Sequence, residues 1–297
     1  MDLAFLRDHP QLIPEMVHHQ RIRVGEIGRD AHTQAHRQLW TLDDGTSLFV
    51  KLQRNPPPGL FAAEAHGLRW LAAKEGPRLP AVIAALEEML VMEWVPPGKP
   101  TRHGTRQFGR QLALMHRSGT AMQFGAPAGT GPPAHGYVGQ LPLDNSPHAD
   151  WAEFFVTRRC LPYLRRAADS GTFDSAQVRE LERGLNRIVT WGTDEPPSPI
   201  HGDLWAGNVH YDSQGSAWLV DAGAAHYGHR ETDLATLQLF GAPFSDDLFA
   251  GYGEEYPLAA GWRDRVPAHQ LHLLLVHVVL FGGDYPAQAL RAAQALR

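Results

Sequence analysis

Three oxygen-bearing side chains stand at a regular spacing in the second half of the chain. Asp203 and Asn208 lie five residues apart in the stretch HGDLWAGNV, and Asp221 follows 13 residues after Asn208, behind the apolar run SAWLV. Carboxylate and amide oxygens are the hard ligands that Mg²⁺ takes in proteins, together with substrate phosphates. A further carboxylate can orient an acceptor hydroxyl and take its proton. The pattern therefore predicts that Asn208 and Asp221 bind Mg²⁺ and that Asp203 is the catalytic base of a phosphoryl transfer.

The spacing as a whole is more specific than any one of these residues. H-x-D, Asn five residues after the Asp, and an Asp at the end of a following strand together form the catalytic-loop pattern of kinases. His201 opens the pattern and is expected to hydrogen-bond the backbone of the loop. His116, in LALMH, is expected to be a packed helix residue, and the other histidines show no spacing typical of metal ligands.

Lys51 is the candidate cation for nucleotide phosphates. The chain has 27 lysines and arginines, of which only Lys51, Lys74 and Lys99 are lysines. A lysine kept in an apolar setting, as at the end of SLFVK, suggests a position that arginine does not fill. We predict that Lys51 projects into a cleft and binds α- and β-phosphates, and that Glu64 on the following helix pairs with it. The alternative is an edge lysine that extends to water.

Two further stretches in the first third of the chain fit a nucleotide site. Gly25 and Gly28, in GEIG, predict a loop between strands in which backbone N–H groups approach phosphate. A plain strand turn explains two glycines equally well. The stretch MEWV (92–95) closes the last strand of this region. The carbonyl of Glu93 and the N–H of Val95 are expected to bond the adenine edge, with a buried strand end as the alternative.

The predicted elements divide the chain into two lobes. Strands are expected at 21–28, 33–42, 47–53, 80–86, 89–95, 207–211 and 216–221, and helices at 3–19, 60–75, 102–118, 150–168, 174–192 and through 229–297. The breaker PPGKP separates an N-lobe over 1–95, a nucleotide-binding sheet with one main helix, from a larger and mostly helical C-lobe over 96–297 with the catalytic loop and substrate site. The fold class is α+β. Residues 120–149 lack periodicity and are expected to form a long functional loop.

Composition narrows the range of partners. The formal net charge is −5, so we expect no basic surface that would bind nucleic acid. The sequence has no run of about twenty apolar residues, so we expect no membrane span. The first residues carry charges and no small-residue cleavage site, so we expect no signal peptide. Cys160 is the one cysteine and is expected to be a buried structural thiol. A chain without disulfides fits the reducing cytoplasm.

Several stretches resemble the fructosamine kinase family, which are ketoamine kinases of the protein-kinase-like fold. The Trp in HGDLWAGNV separates this family from the aminoglycoside and choline kinases, which share its H-G-D…N core. The likeness runs along almost the whole chain. It includes FVKLQ, LFAAEAHGLRWL, FGRQLALMH, YVGQLPLDNSPHADWAEFFVTRRCLPYL, YGHRETDLA, GYGEEYPLAAGW and FGGDY.

The resemblance implies a bilobal protein-kinase-like fold and a specific activity. ATP, with Mg²⁺, would phosphorylate a sugar hydroxyl of a ketoamine, that is, a sugar attached to a small amine or to a lysine of a glycated protein. Phosphorylation makes such an adduct labile, so the role would be deglycation, a form of protein repair. Trp205 is then expected to line the sugar pocket, because an aromatic face suits the C–H groups of a sugar. A core tryptophan under the loop is the alternative.

Two departures from the family pattern keep other functions open. The family usually reads Asp-Pro-Ala where this chain has Asp221-Ala222-Gly223, and the segment up to Tyr227 is one residue longer here. The stretch GEIGRD also lacks the Gly/Ser-rich form, and the cysteine, of some relatives. The alternatives are another small-molecule kinase of the same fold, acting on an aminoglycoside or an amino alcohol, and a nucleotide-binding pseudokinase. The sequence does not indicate an oligomeric state.

Overall fold

Five antiparallel strands form one sheet in the first third of the chain. The structure is a computed structural model that describes residues 3–18, 22–29, 35–125, 135–190 and 195–296. The strands are β1 (Arg23–Arg29), β2 (His36–Thr41), β3 (Ser47–Leu52), β4 (Val82–Ala85) and β5 (Met89–Glu93), in the order β1-β2-β3-β5-β4 across the sheet. All five predicted strands are confirmed, although positions 21, 33 and 34 of the predicted ranges lie outside the described residues.

One face of this sheet packs under two short helices. Leu48 and Val50 of β3 are fully buried on this face, in a cluster that includes side chains of α1 (Leu3–Asp8) and α2 (Ile13–His18). The single helix predicted here is divided by a 3₁₀ turn at Pro10–Leu12. Proline has no N–H to donate and its ring clashes with the preceding turn, so the helix restarts after it.

The opposite face of the sheet looks towards the rest of the protein. Because side chains alternate along a strand, Phe49 and Lys51 of β3 project to this side. The helix α3 (Leu60–Ala72) lies here, and it buries Phe61 and Leu68 in the same cluster as residues of the C-terminal lobe. The sheet therefore has a structural face and a cleft face, and the candidate lysine lies on the cleft face.

Helices build most of the remaining chain. They are α4 (Arg102–Arg117), α5 (Trp151–Phe154), α6 (Leu161–Asp169), α7 (Ser175–Val189), α8 (Glu231–Phe240), α9 (Ser245–Glu255), α10 (Trp262–Phe281) and α11 (Tyr285–Ala295). The small sheet over a helical lobe is the predicted α+β arrangement. Residues 191 and 192 of the predicted helix 174–192 lie outside the described part of the chain. In that part no helix is both long enough and apolar enough to span a bilayer.

The helix predicted at 150–168 is interrupted. A π-helical segment, Phe155–Cys160, lies between α5 and α6. Pro162, the second residue of α6, cannot donate a hydrogen bond to the carbonyl of Arg158, and the wider turn before it accommodates the ring. Cys160 ends this segment and is buried, and burial raises the pKa of its thiol. It is therefore the packed thiol that was expected.

The described part of the C-terminal lobe has three short strand pairs, of which β9–β10 was predicted and the other two were missed. They are β6 (His135–Val138) with β7 (Leu141–Asp144), β8 (Ser198–Ile200) with β11 (His226–Gly228), and β9 (Val209–Tyr211) with β10 (Ala217–Leu219). The β6–β7 hairpin lies inside the predicted loop 120–149, of which positions 126–134 fall outside the described residues. A 3₁₀ turn at Ala206–Asn208 replaces the start of the strand predicted at 207–211. Runs of three or four residues are too short to show a period of two.

Helix α3 packs directly on the segment that carries Asp221. A Cβ atom on Gly67 would lie 1.9 Å from the carbonyl oxygen of Ala222 and 3.2 Å from the Cβ of Ala225. Only a glycine permits this approach without a shift of backbone. The position of Glu64, one turn earlier in α3, is therefore set by a contact between the two lobes.

Replacement of Gly67 by alanine tests this contact. We expect Gly67→Ala to lower the free energy of unfolding by about 1–3 kcal/mol, because the added methyl overpacks a backbone contact. Gly253→Ala in α9 is the matched control, since a Cβ there would meet no atom of the described residues within 4 Å, and alanine is the better helix former. Urea unfolding measures both variants. Equal stability of the two variants would show that the contact between α3 and Ala222 does not constrain the fold.

Candidate active site

Lys51 is held by two carboxylates from different parts of the fold. Its Nζ lies 2.7 Å from Oε1 of Glu64 on α3 and 3.2 Å from Oδ2 of Asp221. Burial alone would lower the pKa of the ammonium group, but the carboxylates of Asp221 and Glu64 raise it above the ordinary value. Burial raises the pKa of Glu64, against the opposing effect of Lys51. The sequence-predicted pair of Lys51 and Glu64 is present, and it extends to Asp221.

The backbone of Asp221 has an unusual conformation. Its φ is +63°, in the left-handed region that residues other than glycine seldom adopt. The side chain is 49 % exposed, unlike those of its partners Lys51 and Glu64. A strained residue that presents a carboxylate to a cleft is typical of functional sites. Asp221 thus has one oxygen near Lys51 and remains accessible from solvent.

Asp203 and Asn208 are bonded to each other across the loop. Nδ2 of Asn208 donates to the backbone oxygen of Asp203 at 2.8 Å and to its Oδ2 at 3.3 Å. Both donations come from the amide nitrogen, so the amide oxygen is the atom of Asn208 that suits a cation. Burial raises the pKa of Asp203 to about 8, helped by the charges of Asp221 and Asp233 and opposed by the bond from Asn208.

These residues offer a set of ligands that fits Mg²⁺. Asp221 supplies a carboxylate and Asn208 an amide oxygen, which are the hard oxygen donors that this ion prefers. Asp203 stands beside them with its carboxylate oriented by Asn208. The sequence had grouped these three residues by spacing alone, and the structure brings them together with Lys51 and Glu64 at one cleft.

A buried carboxylate that the sequence analysis missed fixes the catalytic loop. Asp233 in α8 is fully buried, and its two oxygens accept hydrogen bonds from the backbone N–H groups of His201 (2.8 Å) and Gly202 (2.9 Å). His116 Nε2 lies 3.2 Å from the same carboxylate, and Tyr252 bonds the other ring nitrogen of His116 at 2.8 Å. An Asp inside the apolar pattern of ETDLATLQLF was the signal that could have found it.

His201 has the structural role expected of it. Its Nε2 lies 2.9 Å from the carbonyl oxygen of Val220, and its Nδ1 lies 3.4 Å from the backbone N of Asp203. The ring therefore connects the catalytic loop to the residue that precedes Asp221. His201 thus connects the backbone of Asp203 to the residue before Asp221.

Gly25 and Gly28 lie within a strand, so the predicted loop between strands is wrong at these positions. Both glycines belong to β1, which pairs with β2, and Ile27 is the extra residue of a β-bulge. Gly25 pairs with Leu39 and Gly28 with Arg37, two positions that share one face of β2. The bulge thus places both glycines on the same face, and Gly28 has a φ of +154°. Their proposed part in phosphate binding remains a prediction.

The strand end at MEWV lies beside β9, the strand that follows Asn208. His210 Nε2 lies 2.9 Å from the carbonyl oxygen of Val95, and the carboxylate of Glu93 accepts a hydrogen bond from the N–H of Ala81 at 3.1 Å. The carbonyl of Val95 thus already has a partner within the protein, His210. The predicted adenine contacts involve other groups, namely the N–H of Val95 and the carbonyl of Glu93. These two contacts remain predictions.

Trp205 is exposed rather than buried under the loop. Its side chain is 43 % accessible, and its ring lies over Gly207, where a Cβ would come within 2.2 Å of it. Phe240 contacts the ring edge-on, with centroids 6.2 Å apart, and His277 lies 4.9 Å beyond Phe240. An accessible aromatic surface therefore begins two residues after Asp203.

A buried cluster of possible metal ligands lies away from this surface. His229, Glu231 and His269 place one ligand atom each within 4.8 Å of one another. Arg265, however, donates to both carboxylate oxygens of Glu231, at 2.9 and 2.5 Å. The guanidinium already neutralises the carboxylate, so this cluster is a structural ion-pair network of the C-terminal lobe.

The sheet, the helical lobe and the residues at the cleft have the arrangement of a phosphotransferase of the protein-kinase-like fold, and the relatives are kinases that act on a sugar hydroxyl. The chain belongs to the fructosamine kinase family, whose model matches residues 5–296. A probable ketoamine kinase of Enterococcus faecium is 36% identical over 81% of this chain and 84% of its own length. The protein-ribulosamine 3-kinase of Arabidopsis thaliana is 29% identical over 91% of this chain and 81% of its own length.

The fold is also that of a solved relative. A protein from Thermobifida fusca, provisionally assigned as a fructosamine-3-kinase, has a TM-score of 0.84 and 46% identity, and the match covers 92% of this chain and 93% of that one. The resemblance seen in the sequence is confirmed at the level of the family, the fold and the class of enzyme.

The raised pKa of Asp203 predicts a pH dependence of stability in the metal-free protein. The folded-state pKa of about 8 lies above the ordinary value of 3.8, so the unfolded chain ionises first as pH rises. The stability that this group contributes is complete below pH 4 and is lost as pH rises towards 8. Asn cannot ionise, so Asp203→Asn does not lose this contribution to stability as pH rises. The Tm of the variant relative to the unmodified protein should therefore rise by about 2–5 °C between pH 4 and pH 8.

Differential scanning calorimetry in a chelating buffer measures this difference. Asp44→Asn is the control, because the N–H of Thr46 lowers the pKa of Asp44 and the linkage has the opposite sign. A Tm difference for Asp203→Asn that does not change with pH would show that the carboxyl group is not held in its neutral form.

Proposed function

We propose that this protein is an ATP- and Mg²⁺-dependent kinase that phosphorylates a sugar hydroxyl of ketoamines. The observation that carries the proposal is the convergence of Lys51, Asp203, Asn208 and Asp221 at one cleft. Membership of the fructosamine kinase family supports a ketoamine as the acceptor. The acceptors would be fructosamine or ribulosamine adducts on small amines or on lysines of glycated proteins. The physiological role would be deglycation in the cytoplasm.

The residues at the cleft divide the work of phosphoryl transfer. Lys51, kept in place by Glu64, binds nucleotide phosphates, and Asn208 with Asp221 holds the metal ion. Bound Mg²⁺ would neutralise the charge that develops on the phosphate oxygens. Asp203 orients the sugar hydroxyl and accepts its proton, and the bond from Asn208 keeps its carboxylate in one orientation. Gly25 and Gly28 give backbone access to the phosphates, and Glu93 and Val95 bind adenine.

Turnover on a panel of acceptors tests the proposal. ATP consumption with Mg²⁺ would be measured on ribulose-lysine, fructose-lysine, a glycated protein, an aminoglycoside and choline. We expect turnover on the ketoamines and at least a 100-fold loss in Asp203→Asn, because the general base is removed. Activity on choline or the aminoglycoside alone would assign a different acceptor. ATP binding without turnover on any acceptor would indicate a pseudokinase and contradict the proposal.

Trp205 is proposed to bind the sugar through its exposed face. Replacement by phenylalanine keeps an aromatic ring but loses part of the area, so the KM for the ketoamine should rise by about 3- to 10-fold while the KM for ATP stays constant. Trp262→Phe is the matched control. Trp262 begins α10, and His277 on the same helix, near Trp205, is about 22 Å away along the axis. An unchanged ketoamine KM in Trp205→Phe would remove this residue from the sugar site.

A further inference from the structure

Arg37 stands beside Lys51 on the cleft face of the sheet. In the antiparallel pairing of β2 with β3, Arg37 is directly opposite Lys51. Residues that face each other in this way project to the same side of a sheet. Lys51 projects towards Glu64 and Asp221, so Arg37 also projects towards the cleft. The other face is accounted for, because Val50 and its neighbours are buried under α1 and α2.

The strand on the other side of Arg37 leaves space above it. β1 pairs Gly28 with Arg37 through the bulge at Ile27. A glycine has no side chain to cover its neighbour, and a Cβ on Gly28 would meet no atom of the described residues within 4 Å. A row of three residues therefore crosses the cleft face. It runs from Gly28 in β1 to the guanidinium of Arg37 in β2 and then to the ammonium group of Lys51 in β3. This row lies on the side where phosphate binding is proposed.

Two cations stand side by side on this row, an arrangement that suits a ligand with several negative charges. Like charges directly opposite each other in a sheet destabilise it, and Arg37 and Lys51 form such a pair. Lys51 has Glu64 and Asp221 close by, and the charge of Arg37 helps to lower the pKa of Glu64. A guanidinium has five N–H donors, so it can bond phosphate oxygens and also interact with a carboxylate. The phosphates of one polyphosphate can contact both cations at once.

We propose that Arg37 is a second phosphate-binding residue, which contacts the polyphosphate of the nucleotide beside Lys51. The proposal rests on the proposed use of ATP and adds a residue that its phosphate site was not expected to contain. Two neighbouring cations, one planar and one compact, hold a polyphosphate at more than one point. Arg37 accordingly contributes to the affinity for phosphates and leaves the affinity for the adenosine moiety to the strand end at Glu93 and Val95.

Binding of adenosine, ADP and ATP by Arg37→Ala tests this inference without any acceptor. Isothermal titration calorimetry should show that the Kd for ATP rises about 10-fold or more, because a charge-assisted contact is lost. The Kd for adenosine should change less than about twofold, which also shows that the variant is folded. Arg54→Ala, at an exposed position just after β3, removes the same charge from the same lobe. It should leave the Kd for all three compounds near that of the unmodified protein.

A double-mutant cycle separates direct contact from an effect through Glu64. If Arg37 contacts phosphate, Arg37→Ala should still weaken ATP binding several-fold in a Glu64→Gln background. A complete loss of the effect in that background would mean that Arg37 only supports Glu64 and would overturn the inference. So would an unchanged Kd for ATP in Arg37→Ala, or an equal loss for adenosine and ATP. Absence of ATP binding by the unmodified protein would overturn the proposed function as well, which distinguishes the two failures.

Discussion

The ion pairs of Lys51 with Glu64 and Asp221 are the constraint around which both lobes are arranged. Two carboxylates and one ammonium group meet at distances of 2.7 and 3.2 Å although they come from a strand, a helix and a loop of the other lobe. A buried charge that loses its partner costs several kcal/mol, about 3–5 in measured cases. The fold must therefore hold all three elements in register, and Gly67 is the residue that lets α3 approach closely enough.

In the C-terminal lobe a different buried carboxylate, that of Asp233, holds the catalytic loop in position. Asp233 accepts hydrogen bonds from the backbone N–H groups of His201 and Gly202, and the ring of His201 contacts the carbonyl oxygen of Val220. The catalytic loop and the residue before Asp221 are thus fixed from one point beneath them. Polar groups inside a protein are stable only when they are bonded, so this network gives the loop one conformation. Asp203 and Asn208 lie on the loop that this network holds, and Asn208 in turn orients the carboxylate of Asp203.

Much of this arrangement can be predicted from the sequence. The rest of the fold and site cannot, and the reasons are physical. Lys51, Glu64, Asp203, Asn208 and Asp221 were found because chemistry restricts residue types at fixed spacing. The bulge at Ile27 could not be found, because it changes which residues share a face and leaves no mark in composition. The missed strand pairs of the C-terminal lobe, β6–β7 and β8–β11, are too short for a periodic signal. Asp233 was missed for another reason: its partners are backbone N–H groups, so its position inside an apolar helix pattern was the one signal of its role.

The departure from the family pattern after Asp221 lies at a packed contact with α3 and the β6–β7 hairpin. Ala222 is fully buried, with its carbonyl oxygen against Gly67, and the carbonyl oxygen of Gly223 accepts a hydrogen bond from the N–H of Tyr137 in β6 at 2.8 Å. The hydroxyl of Tyr137 also donates to the carbonyl of Pro58, at 2.8 Å, in the loop before α3. The changed residues thus contact the helix and the hairpin that hold Asp221 beside Lys51. Trp205, which is proposed to bind the sugar, is exposed two residues after Asp203 and makes none of these contacts between the lobes.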